Sequence, residues 1–156
     1  MNQAEEERVL DSALKSLGRR PHSVYELKIK LLKKGMDEGA VINVLHRLQE
    51  DKYLDDVDFA ERFLEYGLVR KSWGKMKIRA ELQKRGVSRE IVDGALESPD
   101  VLEREISGAK RFVEKRMSIE KGRGEGLKEG FKEEIIVKLK RRGFGWEVIE
   151  EAIRRI

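Results

Sequence analysis

Three stretches of this chain carry one apolar register, and that repetition constrains the fold more than any other feature. The first runs Leu27, Leu31, Gly35, Ala40, Val41, Val44 and Leu45. The second runs Ile78, Leu82, Gly86, Ile91, Val92, Ala95 and Leu96, and the third Ile135, Leu139, Gly143, Val148, Ile149, Ala152 and Ile153. Counted from each glycine, the apolar positions fall at −8, −4, +5, +6, +9 and +10 in all three copies. A basic pair precedes each glycine: Lys33-Lys34, Lys84-Arg85 and Arg141-Arg142. Self-similarity at this scale is the mark of a repeat architecture.

The spacing has a direct physical reading. Apolar residues four apart before the glycine share one helical face. A glycine after basic residues is a helix C-cap, because it adopts the left-handed conformation cheaply and the cations favour the negative helix end. The four apolar positions after the glycine open a second amphipathic helix, with Asp37 and Ser88 placed as its N-caps in the first two copies. Ser23-Val24-Tyr25-Glu26 has the form of a capping box at the head of the helix that carries Leu27 and Leu31.

Each helix pair has an apolar helix before it. The three carry Val9, Leu10, Ala13, Leu14 and Leu17, then Phe59, Ala60, Phe63, Leu64, Gly67 and Leu68, then Val101, Leu102, Ile106, Ala109, Phe112, Val113 and Met117. The unit is therefore three short helices, and the chain reads as nine. No alternating apolar–polar stretch suggests a strand. We expect an all-α fold of three tandem three-helix repeats, stacked because so small a unit buries little alone, in an elongated, curved array. The turn formers at Glu50–Asp56 and Ser98-Pro99-Asp100 mark the boundaries, giving repeats at 1–50, 51–98 and 99–156.

Composition removes several classes of function. The chain has no cysteine, which excludes disulfides, thiol catalysis and a cysteine-based zinc site. His22 and His46 lie far apart and read as surface or half-buried helix residues. Asp51, Asp55, Asp56 and Asp58 lack the glycine and distal glutamate of a calcium loop, and Asp55 or Asp56 serves better as an N-cap before Phe59. The run from Lys121 to Gly130 is not followed by Gly-Lys-Ser/Thr and follows no strand, so it is a linker inside the third repeat rather than a phosphate loop. No nucleophile–base pairing stands out. We expect no enzyme activity, no metal and no cofactor. No apolar run approaches the length of a membrane span, and the acidic first residues are unlike a signal peptide, so we expect a cytoplasmic monomer with no membrane partner.

Charge is where the function shows. Of all residues 41% are charged, and they are unevenly placed. From Tyr66 to Val92 the net charge is +6, and from Arg19 to Lys34 it is +5, while Glu50 to Glu65 carries −5. Clustered base of this kind is what phosphate binding needs, since each neutralised phosphate releases counterions. The basic pairs before the glycines read first as helix caps and secondly as phosphate contacts; the cluster Arg70–Arg79 starts in a loop and exceeds what capping needs. Trp73 sits among those cations, placed either to stack on a base or a partner's arginine, or to pin the loop to the core. Trp146, at the head of the last helix, reads as packing.

The residues also resemble a known family. Tyr53-Leu54-Asp55-Asp56-Val57-Asp58-Phe59-Ala60, then Arg70-Lys71, then the run Ile78 to Ser88 resemble the central signature of the RecX regulators. His22 to Leu27 with Leu31 is similar to that family's first-repeat motif, and Leu139-Lys140-Arg141-Arg142-Gly143-Phe144 to its third. The resemblance spans about Leu10 to Ile153. It implies a modular protein that modulates RecA, usually as an inhibitor, by lodging in the groove of the RecA–DNA filament. One departure is local: where the family often has Gly-Pro, this chain has Gly74-Lys75.

On this reading Arg70, Lys71, Trp73, Lys75, Lys77, Arg79, Lys84 and Arg85 face the RecA filament or its single-stranded DNA. Lys28, Lys30, Lys33 and Lys34 form a secondary basic patch. The competing reading is an autonomous DNA-binding protein with the final helix of one repeat in the major groove; Glu90-Ile91-Val92-Asp93, a poor surface for reading bases, weighs against that and leaves DNA binding without sequence preference. A protein–protein adaptor that touches no nucleic acid is the third.

Overall fold

The computed structural model describes residues 2–124 and 126–156, and all regular structure among them is helical. Nine α-helices follow the repeat: α1 (Gln3–Arg19), α2 (Val24–Lys33), α3 (Glu38–Glu50), α4 (Asp56–Glu65), α5 (Lys75–Lys84), α6 (Arg89–Leu96), α7 (Val101–Lys121), α8 (Phe131–Arg141) and α9 (Trp146–Ile153). A π-helical turn, Tyr66–Arg70, continues α4. Three helices in each of three tandem repeats is the architecture the register predicted.

The glycines end helices as the spacing requires. Gly35, Gly86 and Gly143 sit at φ +80°, +74° and +87°, where an L side chain is strained. Asp37 caps α3 by accepting from the Ala40 amide at 3.0 Å, and the Ser23–Glu26 capping box forms at α2. Ser88 Oγ lies 3.4 Å from the Ile91 amide at the head of α6. Asp55 is the cap of α4: its Oδ1 accepts from the amides of Val57 (3.0 Å) and Asp58 (3.3 Å). Asp56 does something the spacing did not suggest, accepting from the Val24 amide at 2.9 Å and so capping α2 from another helix.

The apolar register is the core. One cluster gathers Val9, Ala13, Leu27, Leu31, Val41, Val44 and Leu45, and another gathers Ala109, Val113, Ile135, Leu139, Val148 and Ile149. A fully buried leucine or isoleucine stabilises by about 1.5–3 kcal/mol relative to exposure, so these positions dominate the energetics. Of the repeated apolar positions, only Ile91 and Ala95 are left half-buried.

The chain condenses into two compact units, residues 1–61 with 82–92 and residues 62–81 with 93–156. The units are not the repeats: the second repeat contributes to both. Glu125, inside the glycine-rich run between α7 and α8, lies outside the described residues.

Candidate nucleic-acid interface

The first unit shows how one repeat is tied to the next. Ser23, fully buried, donates its hydroxyl to the carbonyl of Arg85. Beside it the Tyr25 ring lies so close over Gly86 that a Cβ there would come within 2.3 Å of its Cγ. Glu26 accepts from Arg20 at 2.8 Å and stands 3.9 Å from the Arg85 guanidinium. The first-repeat motif is therefore a clasp on the basic-pair glycine of the second repeat. Glycine is needed at 86 for contact as well as for conformation.

The second unit repeats this arrangement one register on. The Gly74 amide donates to the Arg142 carbonyl (2.8 Å), and the Met76 amide to the Gly143 carbonyl (3.2 Å). A Cβ on Gly143 would lie 2.3 Å from the Lys77 amide nitrogen, and one on Gly74 would lie 2.3 Å from the Gly143 oxygen. Between those two bonds, the Lys75 amide donates to Glu105 Oε1 at 2.7 Å. The opening amides of α5, which lack intrahelical partners, are thus occupied by protein groups. A proline at position 75 would lack the N–H that Glu105 takes. Glu105 itself is 1% exposed, its Oε2 has no hydrogen-bond partner among the described residues, and burial raises its carboxyl above the usual range.

This docking builds a groove of about 650 Å³. Its walls are Arg70, Lys71, Trp73 and Lys77 from the second repeat, and Lys138, Arg141 and Arg142 from the third, with Phe112 and Arg116 of α7. Seven of the nine are cations and the other two aromatic, so no carboxylate is among the walls. Trp73 answers both readings of its position. Its ring packs against Phe63 and Tyr66, with centroids 6.2 Å away in each case, and its amide donates to the Gly67 carbonyl at 2.8 Å. It is nevertheless half-exposed, with the Lys77 ammonium 4.9 Å from the ring centroid. The π-turn and Ser72, at φ 49°, carry the chain round this cluster.

Arg142 closes the groove. Its guanidinium donates to the Lys71 carbonyl at 2.6 Å and lies 4.3 Å from the Phe112 centroid. Burial, followed by repulsion from Arg116, lowers its pKa. Glu134 serves both Arg116 (3.4 Å) and Lys138 (2.6 Å), and hydrogen bonds from Lys128 and Lys138 hold its carboxyl at about 2. One carboxylate shared in this way leaves the groove with excess positive charge.

The remaining sequence candidates are dispersed. Lys75 is exposed at the head of α5, and Arg79 is ion-paired to Asp93. Lys84 belongs to the first unit, where it lines a smaller cleft with Lys30 and Lys33, and Arg85 serves the Glu26 clasp. Lys34 donates to Ser12 Oγ at 2.9 Å, and Lys28 is half-exposed on α2. Arg116, Lys138, Arg141 and Arg142 were missed as groove residues, because the last two read first as helix caps. Register held the signal: Arg141 and Arg142 stand before Gly143 as Lys84 and Arg85 stand before Gly86. Two further readings need correcting. Trp146 is 56% exposed, with the Lys140 ammonium 5.9 Å from its ring, and His22 is 4% exposed. The first heads a short helix whose core face is already filled by Val148, Ile149, Ala152 and Ile153. The second is enclosed at the clasp, where its Nδ1 meets the Arg20 carbonyl at 2.9 Å. Among the described residues no cluster of histidine and acid side chains could hold a metal ion, and no helix is long and apolar enough to cross a membrane.

Comparison with known proteins matches this architecture. The RecX first three-helix domain matches residues 10–48, and the RecX second three-helix domain matches residues 55–96. A regulatory protein RecX of Chlorobaculum tepidum is 33% identical over the whole of this chain and 92% of its own. The chain belongs to the RecX family. The RecX protein of Pelodictyon phaeoclathratiforme is 36% identical over 91% of this chain and 84% of its own. Against the RecX protein of Halalkalibacterium halodurans, 35% identical, the chain spans 54% of the relative's length. Among solved structures, RecX from Lactobacillus salivarius superposes with a TM-score of 0.82 at 18% identity, covering 98% of this chain and 97% of that one, which is a likeness of fold. The RecX family is thus named for regulation, and its first and second three-helix domains match residues within the first two repeats.

Proposed function

We propose that this chain regulates a RecA-type recombinase by binding the groove of its filament on single-stranded DNA, so limiting filament extension, ATP hydrolysis and strand exchange. Membership of the RecX family supports the regulatory role. The observation that carries the binding mode is the groove of the second unit, walled by seven cations and no acid. A surface of this kind is suited to phosphates and to acidic protein faces, and its aromatic rings suit exposed bases. Lys71, Lys77 and Arg142 are the central contacts, with Trp73 as their platform.

The test is the ATP hydrolysis rate of a RecA recombinase on single-stranded DNA with this chain titrated in. Inhibition well below one regulator per recombinase supports binding along or at the end of a filament, and the Lys71→Glu/Lys77→Glu variant loses it. An unchanged rate with folded protein and saturated DNA would sink the proposal in favour of plain DNA binding without sequence preference.

A further inference from the structure

The two inter-repeat junctions are built on the same register. Arg20, His22 and Glu26 hold the positions relative to Gly35 that Lys71, Trp73 and Lys77 hold relative to Gly86. Lys84 stands before Gly86 as Arg141 stands before Gly143. In the first unit these positions again enclose an open cleft, of about 310 Å³, to which α2 adds Tyr25, Ile29, Lys30 and Lys33. We infer that this cleft is a separate site for single-stranded nucleic acid, seating one base on the Tyr25 ring and the adjoining phosphates on Lys30, Lys33 and Lys84.

Three observations carry it. Tyr25 is 51% exposed although its ring is fixed against Gly86, so one face is anchored and the remaining surface is open to solvent. An anchored aromatic with a free surface is a stacking platform that loses little freedom when a base lands on it. Secondly, two of the cations around it are available: Lys30 and Lys33 have no acid partner among the described residues. The single acid of the cleft, Glu26, is already engaged by Arg20 at 2.8 Å and by the capping box. Thirdly, the cleft is of nucleotide size, at the lower end of ligand pockets. Ile29 adds an apolar contact that suits a sugar or base. An acidic peptide would use the lysines and leave the ring idle, while a duplex would keep its bases stacked away from Tyr25. Glu26, standing where the second unit has Lys77, makes this the weaker and less salt-sensitive of the two sites.

The site belongs to the chain itself, so the test omits the recombinase and does not depend on the regulatory proposal. The full chain is irradiated with oligo(dT) carrying 5-iodouracil, which cross-links to aromatic side chains it stacks on, and adducts are mapped by mass spectrometry. The expected result is an adduct at Tyr25 that falls at least several-fold in Lys30→Gln/Lys33→Gln, while any adduct at Trp73 is retained. In the same variant the slope of log affinity against log salt falls by about 0.7 for each phosphate contact removed. An adduct confined to Trp73 in the unaltered chain overturns the inference, whatever the variants do. So does a Tyr25 adduct indifferent to the two lysines, or oligo-glutamate binding that needs Lys33 while oligo(dT) binding does not.

Discussion

The amide of Gly74 donates to the carbonyl of Arg142 at 2.8 Å, and this bond joins the head of the second repeat's middle helix to the helix end of the third. Gly74 has no room for a side chain, because a Cβ would meet the Gly143 carbonyl at 2.3 Å. The bond therefore sets how closely Lys71, Trp73 and Lys77 approach Arg141 and Arg142. The cationic groove follows from that approach.

The three repeat glycines should differ in what alanine costs. Gly35→Ala meets no neighbour within 4 Å and carries only the left-handed strain, about 1–2 kcal/mol. Gly86→Ala adds an overlap with the Tyr25 ring, and Gly143→Ala an overlap with the Lys77 backbone, which yields least. Overpacking adds about 1–3 kcal/mol. Denaturant unfolding of the three variants should rank them Gly35, Gly86, Gly143 in rising cost; equal losses would contradict the docking role.

Lys75 and Glu105 should be coupled. Lys75→Pro suits the first position of a helix but removes the amide that Glu105 accepts from, leaving a buried carboxylate without its bond. The single change should cost about 1–3 kcal/mol. With Glu105→Leu already in place, the same change should cost much less. Additive losses across the double-mutant cycle would show that the bond contributes nothing.

Acid should destabilise the first unit through His22. Burial lowers the pKa of its imidazole below the ordinary 6.5. Its stability contribution is complete above that value and is lost as pH falls towards the lower folded value, where the unfolded chain takes the proton first. Thermal midpoints compared between about pH 8 and pH 5 should fall on acidification. They should fall less in His22→Asn, whose amide can still donate to the Arg20 carbonyl. An identical pH profile for the variant would rule this out.

Lys77 and Glu26 occupy one register position with opposite charge, so exchanging their character should move binding in opposite directions. Lys77→Glu should weaken oligo(dT) binding and lower its salt slope by about 0.7 per phosphate contact. It should blunt recombinase inhibition in parallel. Glu26→Gln should strengthen oligo(dT) binding slightly, by freeing Arg20. Fluorescence anisotropy at two salt concentrations reads both.

Much of this is legible in the sequence. Leu27, Leu31, Ile78, Leu82, Ile135 and Leu139 are fully buried because helical periodicity is a local property, written every three to four residues. Gly35, Gly86 and Gly143 announced helix ends for the same reason, since a left-handed residue after a basic pair needs no tertiary context. The loop cations and Trp73 were visible as a local excess of charge around an aromatic.

What periodicity could not supply is which distant residues share a surface. Arg141 and Arg142 have an adequate local explanation as capping residues, and only the docking of Gly143 on Lys77 turns them towards Lys71. Lys84, contiguous with the central cluster in sequence, joins Lys30 and Lys33 instead, because the division between the compact units falls within α5, after residue 81. Asp56 and Glu105 each cap a helix far away in sequence, a role that has no spacing to betray it. The helices and their ends follow from hydrogen bonds and apolar faces closed within a few residues; the grooves are decided by packing between repeats, where the partners are chosen by shape and distance.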